Sequence, residues 1–294
     1  MEIRVLRYFL TAVREESITK AAAALHITQP TLTLSRQISQ MEEELGVKLF
    51  RRGTRKIVLT DEGMLLRRRA EEILELVDKA EKELVEQTEA VEGTVSIGCG
   101  DLQAVQTMAS LISSFHEKYP AVHFDLYTAT ADHIRDWMER GAADIGVLLE
   151  PVNIDKFDFI RLQQKEQWVV VMPADAPLAQ KEYVTAEDLK DLPLILTGRT
   201  SVQSELASWF GDTYDQLQVL FTSNLPSASS IMVYHGLAYS LIIKGSIDFW
   251  DSSRITYRPL EPPLESTCVV AWKRQQPFGI ATEKFIEHIK NALR

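Results

Sequence analysis

A chain of 294 residues, 45% of them apolar, can bury a sizeable core, and its length suggests two or three domains. No run of about 18 apolar residues exists to span a bilayer, and the opening "MEIRVLRYFLTAVREES" carries charges through its apolar positions, unlike a signal peptide. The net charge of −10 is uneven: residues 1–60 hold ten Lys/Arg against six Glu, a balance of +4, so the remainder carries −14. A basic head that meets phosphate on an acidic body, in the cytoplasm and with no membrane partner, is the expectation.

The first sixty residues read as short helices. "MEIRVLRYFLTAVREE" places Val5, Phe9, Ala12 and Val13 on one face. "SITKAAAALHI" follows, with Ser17 as its cap, and Ala21, Ala22 and Leu25 form a small-residue face that lets another helix cross closely. In "TQPTLTLSRQISQMEEELG" the residues Leu34, Ile38, Met41 and Leu45 recur at steps of four, three and four, which turns them inward. Ser35, Arg36, Ser39 and Gln40 then point outward, and such residue types contact phosphates and base edges. Two short extended runs flank "RRGTRK", a Gly-containing turn with four cations that has the form of a wing.

Thr60 or Asp61 next caps a helix running to about Gln87, roughly 40 Å long at about 1.5 Å per residue. Its apolar positions Leu66, Ala70, Ile73, Val77, Ala80 and Leu84 alternate steps of four and three, the a/d pattern of a coiled-coil seam, which predicts pairing with a second copy. From Gly93 onward strands alternate with helices: "TVSIGCG", "HFDLYTA" and "DIGVLL" in a first series, then "QWVVVMP", "LPLILTG", "QLQVLFTS" and "AYSLII", with "TCVVAWK" and a last helix closing the chain. That order predicts parallel-rich α/β sheets in two lobes, where ligands sit at strand C-terminal ends and helix N-termini.

The stretches "REESITKAAAALHITQP", "SRQISQMEEELGVKLFRR" and "LTDEG" resemble the winged helix-turn-helix of LysR-type transcriptional regulators, and "FHEKYP", "GAADIGV" and "HGLAYSLI" are similar to landmarks of that family's C-terminal part. The resemblance implies a winged helix-turn-helix over residues 1–60, a dimerising linker helix over 61–90, and a two-lobed effector-binding domain like a periplasmic binding protein over 91–294. Lobe I takes about 91–162 and 268–294, lobe II about 163–267. It further implies a homodimer or homotetramer on dyad-symmetric double-stranded DNA, control by a small-molecule effector, RNA polymerase as a further candidate partner, and no cofactor. By the same likeness Gln29, Thr31, Ser35 and Arg36 face bases and phosphates, and Arg51, Arg52, Arg55 and Lys56 lie near the backbone or minor groove. The sequence departs from the family in one place. Where two residues usually separate Gln-Pro from Ser-Arg, this chain has Thr31, Leu32, Thr33 and Leu34. The surplus pair is expected to be absorbed at the helix start, around Thr28 to Thr33, with Thr31 or Thr33 as a displaced cap.

For the effector cleft, the family often places a Ser or Thr after the first strand to hold a carboxylate; here Cys99, Gly100, Asp101 and Leu102 stand there. Asp101 is expected to cap the next helix with its own carboxylate, which disfavours an anionic effector at that end. A cationic, amine-bearing or neutral effector, a carboxylate bound elsewhere in the cleft, and no effector are the alternatives. Thr197, Gly198, Arg199, Thr200 and Ser201 follow a strand and open a helix from the other lobe, so their backbone donors and hydroxyls are expected to face the cleft, although Thr200 and Ser201 can equally be plain helix caps; Thr128, Thr130, Ser223 and Asn224 end strands.

Other classes find less support. "IGCGDLQ" holds only a partial GxGxxG, and there is no GxSxG, Walker loop or HExxH, so an enzyme is not expected. The six histidines show no ligand spacing, and no metal is expected. A secreted solute-binding protein would suit the two lobes but not the basic head. A redox sensor using Cys99 or Cys268 needs a lowered thiol pKa, which Asp101 beside Cys99 opposes.

Overall fold

The computed structural model describes residues 2–25, 30–51, 57–85, 91–247 and 250–293, and the side chains of 30–32, 79 and 82–85 also lie outside the description. The chain forms two compact units, Met1–Val85 and Glu86–Arg294.

In the first unit, α1 (Ile3–Arg14) buries Val5, Leu6, Phe9 and Ala12. Helix α2 (Ile18–Ala24) starts at Ser17, whose hydroxyl accepts from the Lys20 N–H at 3.4 Å and satisfies one of the helix's orphan donors. Ala21 and Ala22 are fully buried against Ala12 and against Leu34 and Ile38 of α3 (Pro30–Leu45). The α3 stripe departs from expectation at its end: Leu34, Ile38 and Met41 are buried, but Leu45 is 43% exposed. Gly46, at φ +69°, ends the helix there, and the stripe outruns the helices that cover it. Helix α3 is also continuous from Pro30, so the surplus pair lengthens the helix at its start. Thr31 and Thr33 are thus helical backbone and not displaced caps.

The wing's two strands, β1 (Phe50–Arg51) and β2 (Val58–Leu59), pair antiparallel. Thr60 caps α4 (Asp61–Val85), accepting from the Gly63 N–H at 2.9 Å and donating to the Lys48 carbonyl at 2.6 Å. Gly63 packs so close to β1 that a Cβ there would collide with the Leu49 carbonyl oxygen, which explains a glycine in a helix's first turn.

The first half of the stripe on α4 is covered within the chain. Leu66, Ala70 and Ile73 pack against Val5, Leu6 and Phe9 of α1 together with Met41 and Leu49. A four-three stripe reports an apolar face, not whose surface covers it, and α1 of the same chain reaches it first. Val77 is half-buried, Ala80 is exposed, and the Leu84 side chain lies outside the described residues.

Glu42 on α3 ties this unit together. Its carboxylate accepts from the backbone N–H of Leu49 at 2.8 Å and from Lys48 Nζ at 2.7 Å. Burial by itself would raise its pKa, but Lys48 and the N–H groups of Leu49 and Phe50 outweigh that and hold it below the ordinary carboxylate range. A depressed folded-state pKa means stability that is present above the unfolded value and lost as pH falls through the folded one. Glu42→Gln is therefore expected to cost about 1–3 kcal/mol in urea unfolding at pH 7 and to flatten the acid limb of the stability curve. An unaltered acid limb would mean that Glu42 does not anchor the wing.

The second unit is built on one nine-stranded sheet. On one side β3 (Gly93–Cys99) pairs in parallel with β4 (Val122–Thr128) and β5 (Ile145–Leu149); on the other β7 (Pro193–Thr197) pairs in parallel with β8 (Gln218–Ser223) and β9 (Tyr239–Ile243). Two strands joining the lobes run antiparallel to their neighbours: β6 (Phe157–Pro173), 17 residues long, and, after β10 (Ile255–Pro259) on its flank, β11 (Glu265–Lys273). The sheet is thus parallel within each lobe, as the strand-helix alternation predicts, and antiparallel in its middle, where the two joining strands run. Register between β6 and β11 breaks between Thr267 and Val269. Helices α5 (Ala104–Lys118), α6 (Ala131–Glu139) and α10 (Ile280–Ala292) belong to lobe I, with Phe115 and Phe285 of α5 and α10 in edge contact at 5.0 Å. The short α7 (Ala186–Leu189), α8 (Thr200–Phe210) and α9 (Pro226–Tyr234) belong to lobe II.

Candidate DNA-reading surface and effector cleft

On α3, burying Leu34, Ile38 and Met41 leaves Ser35, Arg36, Ser39 and Gln40 in solvent on the opposite face. Gln40 Nε2 is held by Glu44 at 3.3 Å, whereas Ser35 and Arg36 stand clear at the outer surface. Arg51, at the base of the wing, is exposed and 3.8 Å from Asp61, a separation that leaves its charge available. Gln29, Arg52, Arg55 and Lys56 lie outside the described residues, as does the Thr31 side chain.

In the second unit a cleft of about 90 Å³ opens between the lobes. From lobe I it is lined by Gly100, Asp101, Leu102, Thr130 and Leu149, and from the shared and lobe II strands by Trp168, Thr197, Arg199, Asn224 and Ser240 among others. Six expected residues therefore come together: Gly100, Asp101, Leu102, Thr130, Thr197 and Asn224, with Ser223 beside them. Four do not. Cys99 turns into the core behind the wall. Thr128 is exposed on the edge strand β4, Thr200 is exposed on the first turn of α8, and Ser201 donates to the Pro151 carbonyl at 3.4 Å instead of facing the cleft. Strand alternation and helical phase decide this, and a one-residue difference moves a side chain to the other face.

The second correction concerns Asp101, which does not cap α5. That helix starts at Ala104, and the carboxylate receiving its first N–H groups is Glu166 of β6, from Gln103 N at 3.1 Å and Ala104 N at 2.8 Å. Glu166 is only 1% exposed, and its position in the polar run "QQKEQ" carries no sign of this role. Asp101 is left on the cleft wall, where burial raises its pKa.

Arg199 is the other residue whose role the sequence conceals. Its guanidinium donates to Asp132 Oδ2 at 2.8 Å, to the Pro151 carbonyl at 2.9 Å and to the Leu149 carbonyl at 3.4 Å, so one side chain of lobe II makes three contacts to lobe I. Nearby, Gly245 fits against the Gln103 backbone, where a Cβ would collide. Both cysteines are poorly suited to redox sensing: burial, and then Asp101, raise the Cys99 pKa, while burial and then Glu166 raise that of Cys268. No metal-binding cluster occurs among the described residues, and no helix among them is long and apolar enough to cross a membrane.

A winged helix-turn-helix in one unit and a two-lobed α/β fold with an interlobe cleft in the other define a class of ligand-responsive DNA-binding regulators. The chain matches the family model described as bacterial regulatory helix-turn-helix protein, lysR family, over residues 3–64, and that of the LysR substrate binding domain over residues 88–294. It belongs to the LysR family, as a DNA-binding transcriptional regulator with an effector-binding domain, not an enzyme. It is 29% identical over 292 residues to the HTH-type transcriptional regulator YvbU of Bacillus subtilis (strain 168), covering 99% of this chain and 98% of that one. It is 34% identical over 197 residues to the HTH-type transcriptional regulator BsdA of the same organism, covering 67% of each. Full-length CbnR in complex with its target DNA shares the fold, with a TM-score of 0.74 at 19% identity over 99% of this chain and 100% of that one.

Proposed function

We propose that this LysR-type regulator works in the cytoplasm, reads DNA through the outer face of α3 with the wing cations on the backbone, and is controlled by a small molecule held between the lobes. The observation that carries the reading is the split of α3 into a fully buried stripe and an exposed row of Ser35, Arg36, Ser39 and Gln40. Gln29, Thr31, Arg52, Arg55 and Lys56 remain assigned with Arg51 by family likeness. Copies pair through the part of α4 left over by α1, namely Leu76, Val77 and Ala80, which are partly or fully exposed. The division at about residues 60 and 90, and the exchange between lobes near 162 and 267, are part of the same reading.

Preferred sites selected from random duplexes by the full-length protein supply the test. Arg36→Ala should weaken binding to the selected site about tenfold or more and lower the salt slope by about one. Deleting Thr31 and Leu32 shortens the helical start of α3 and swings everything ahead of it by about 200°. The deletion variant should select a different sequence while its affinity for random DNA at fixed salt stays within about twofold. Selection of the same sequence by parent and deletion variant would remove the start of α3 from the reading surface.

A further inference from the structure

We propose that the interlobe cleft takes a small organic amine, its ammonium set against Asp101 and its apolar body against Leu102, Trp168, Val202 and Ile243. This rests on the reading of the cleft as the effector site and names the class of molecule it selects. The wall is largely apolar, and its charged groups have unequal freedom. Arg199, a cation on that wall, is spent on Asp132 and two carbonyls. The N-terminus of α5, which would otherwise attract an anion, is already occupied by Glu166. Asp101 by contrast has no hydrogen bond or ion pair among the described residues, and only burial acts on it, raising its pKa. A cation placed beside it would offset that burial; a carboxylate would meet like charge with no free guanidinium or ammonium to compensate among the described residues of the wall.

A second observation marks an unpaired polar group on the same wall, one that bears on a bound ligand without fixing its charge. Ser240 is 0% exposed, lines the cleft, and its Oγ has no hydrogen-bond partner. Buried polar groups are seldom left unpaired, and a hydroxyl accepts from an amine or an attached hydroxyl as readily as it donates. The N-termini of α8 and α9 also open on this wall, each carrying only about half a charge, so together they roughly balance the charge of Asp101, and it is the position beside Asp101 that selects a cation.

The test uses three probes of one carbon skeleton, n-butylamine, 1-butanol and butyrate, titrated calorimetrically into the full-length protein at neutral pH. Butylamine is expected to bind at least about tenfold tighter than butyrate, and Asp101→Asn is expected to remove that preference while the melting curve shows the fold retained. Butyrate binding equal to or tighter than butylamine, a preference that survives Asp101→Asn, or no butylamine binding at about 10 mM would each overturn the assignment. A cleft-filling variant, Leu225→Trp, separates the two levels of the argument. It should abolish binding of all three probes, and butylamine binding that persists in it would overturn the cleft as the site, not merely the choice of an amine.

Discussion

Replacing Ala70 with glutamate is expected to melt the N-terminal unit and not merely to separate two copies. Ala70 is 0% exposed and sits among Val5, Leu6, Phe9, Met41 and Leu49. A longer side chain must displace these neighbours, at about 1–3 kcal/mol, and its carboxylate would be buried without a partner, at about 3–5 kcal/mol. Small domains seldom have more than about 5–15 kcal/mol to lose, so the helical signal of this unit should fall at room temperature. Val77→Glu, two turns further along the same stripe, is the comparison. It should leave the melt within about 1 kcal/mol and shift the sedimenting species towards the monomer, because Val77 is not part of the core beneath α1. Circular dichroism melts and sedimentation of both variants decide the matter. An Ala70→Glu protein that melts normally but sediments as a monomer would restore Ala70 to the seam between copies.

Glu166→Ala is expected to destabilise the second unit by about 2–4 kcal/mol. The substitution leaves the N–H groups of Gln103 and Ala104 without their acceptor in a buried place, and it removes a negative charge from the positive end of a 15-residue helix. Glu166→Gln keeps one acceptor oxygen and should fall between the two. Asp101→Ala should cost less than about 0.5 kcal/mol, since Asp101 caps nothing. Urea unfolding of the three variants checks the order, and a larger loss for Asp101→Ala than for Glu166→Ala would return the cap to Asp101.

These two residues show where reading a sequence ends. The sign of the local field at α5 was legible, because a carboxylate near a helix start is favourable whichever residue brings it. Asp101 is three positions from the first residue of that helix, and Glu166 is 62 positions away from Ala104. Proximity along the chain favours the former; the crossing of β6 beside β3 and β5 through β11 delivers the latter. Arg199 illustrates the same limit. Its place after a strand, in "TGRT", put it near the cleft, but the carbonyls and carboxylate that consume its charge come from residues 132, 149 and 151. Ser240 left a faint signal, a small hydroxyl residue within the strand "YSLII".

What this sequence determined by itself is whatever depends on periodicity, composition and local capping. The helix phases of α1 to α3, the Ser17 cap and a cap at Thr60 or Asp61, the outward row beginning at Ser35, and the alternation of strands with helices all follow from residues within about a dozen positions of one another. What only the tertiary structure decided is which surface covers which. The α4 stripe met α1 of its own unit, β6 and β11 entered the sheet antiparallel, Glu166 took the cap, and Arg199 closed on lobe I. The physical reason is that apolar faces and charges are non-directional and accept any complementary partner, so the sequence marks the faces while the chain's path in space selects their partners.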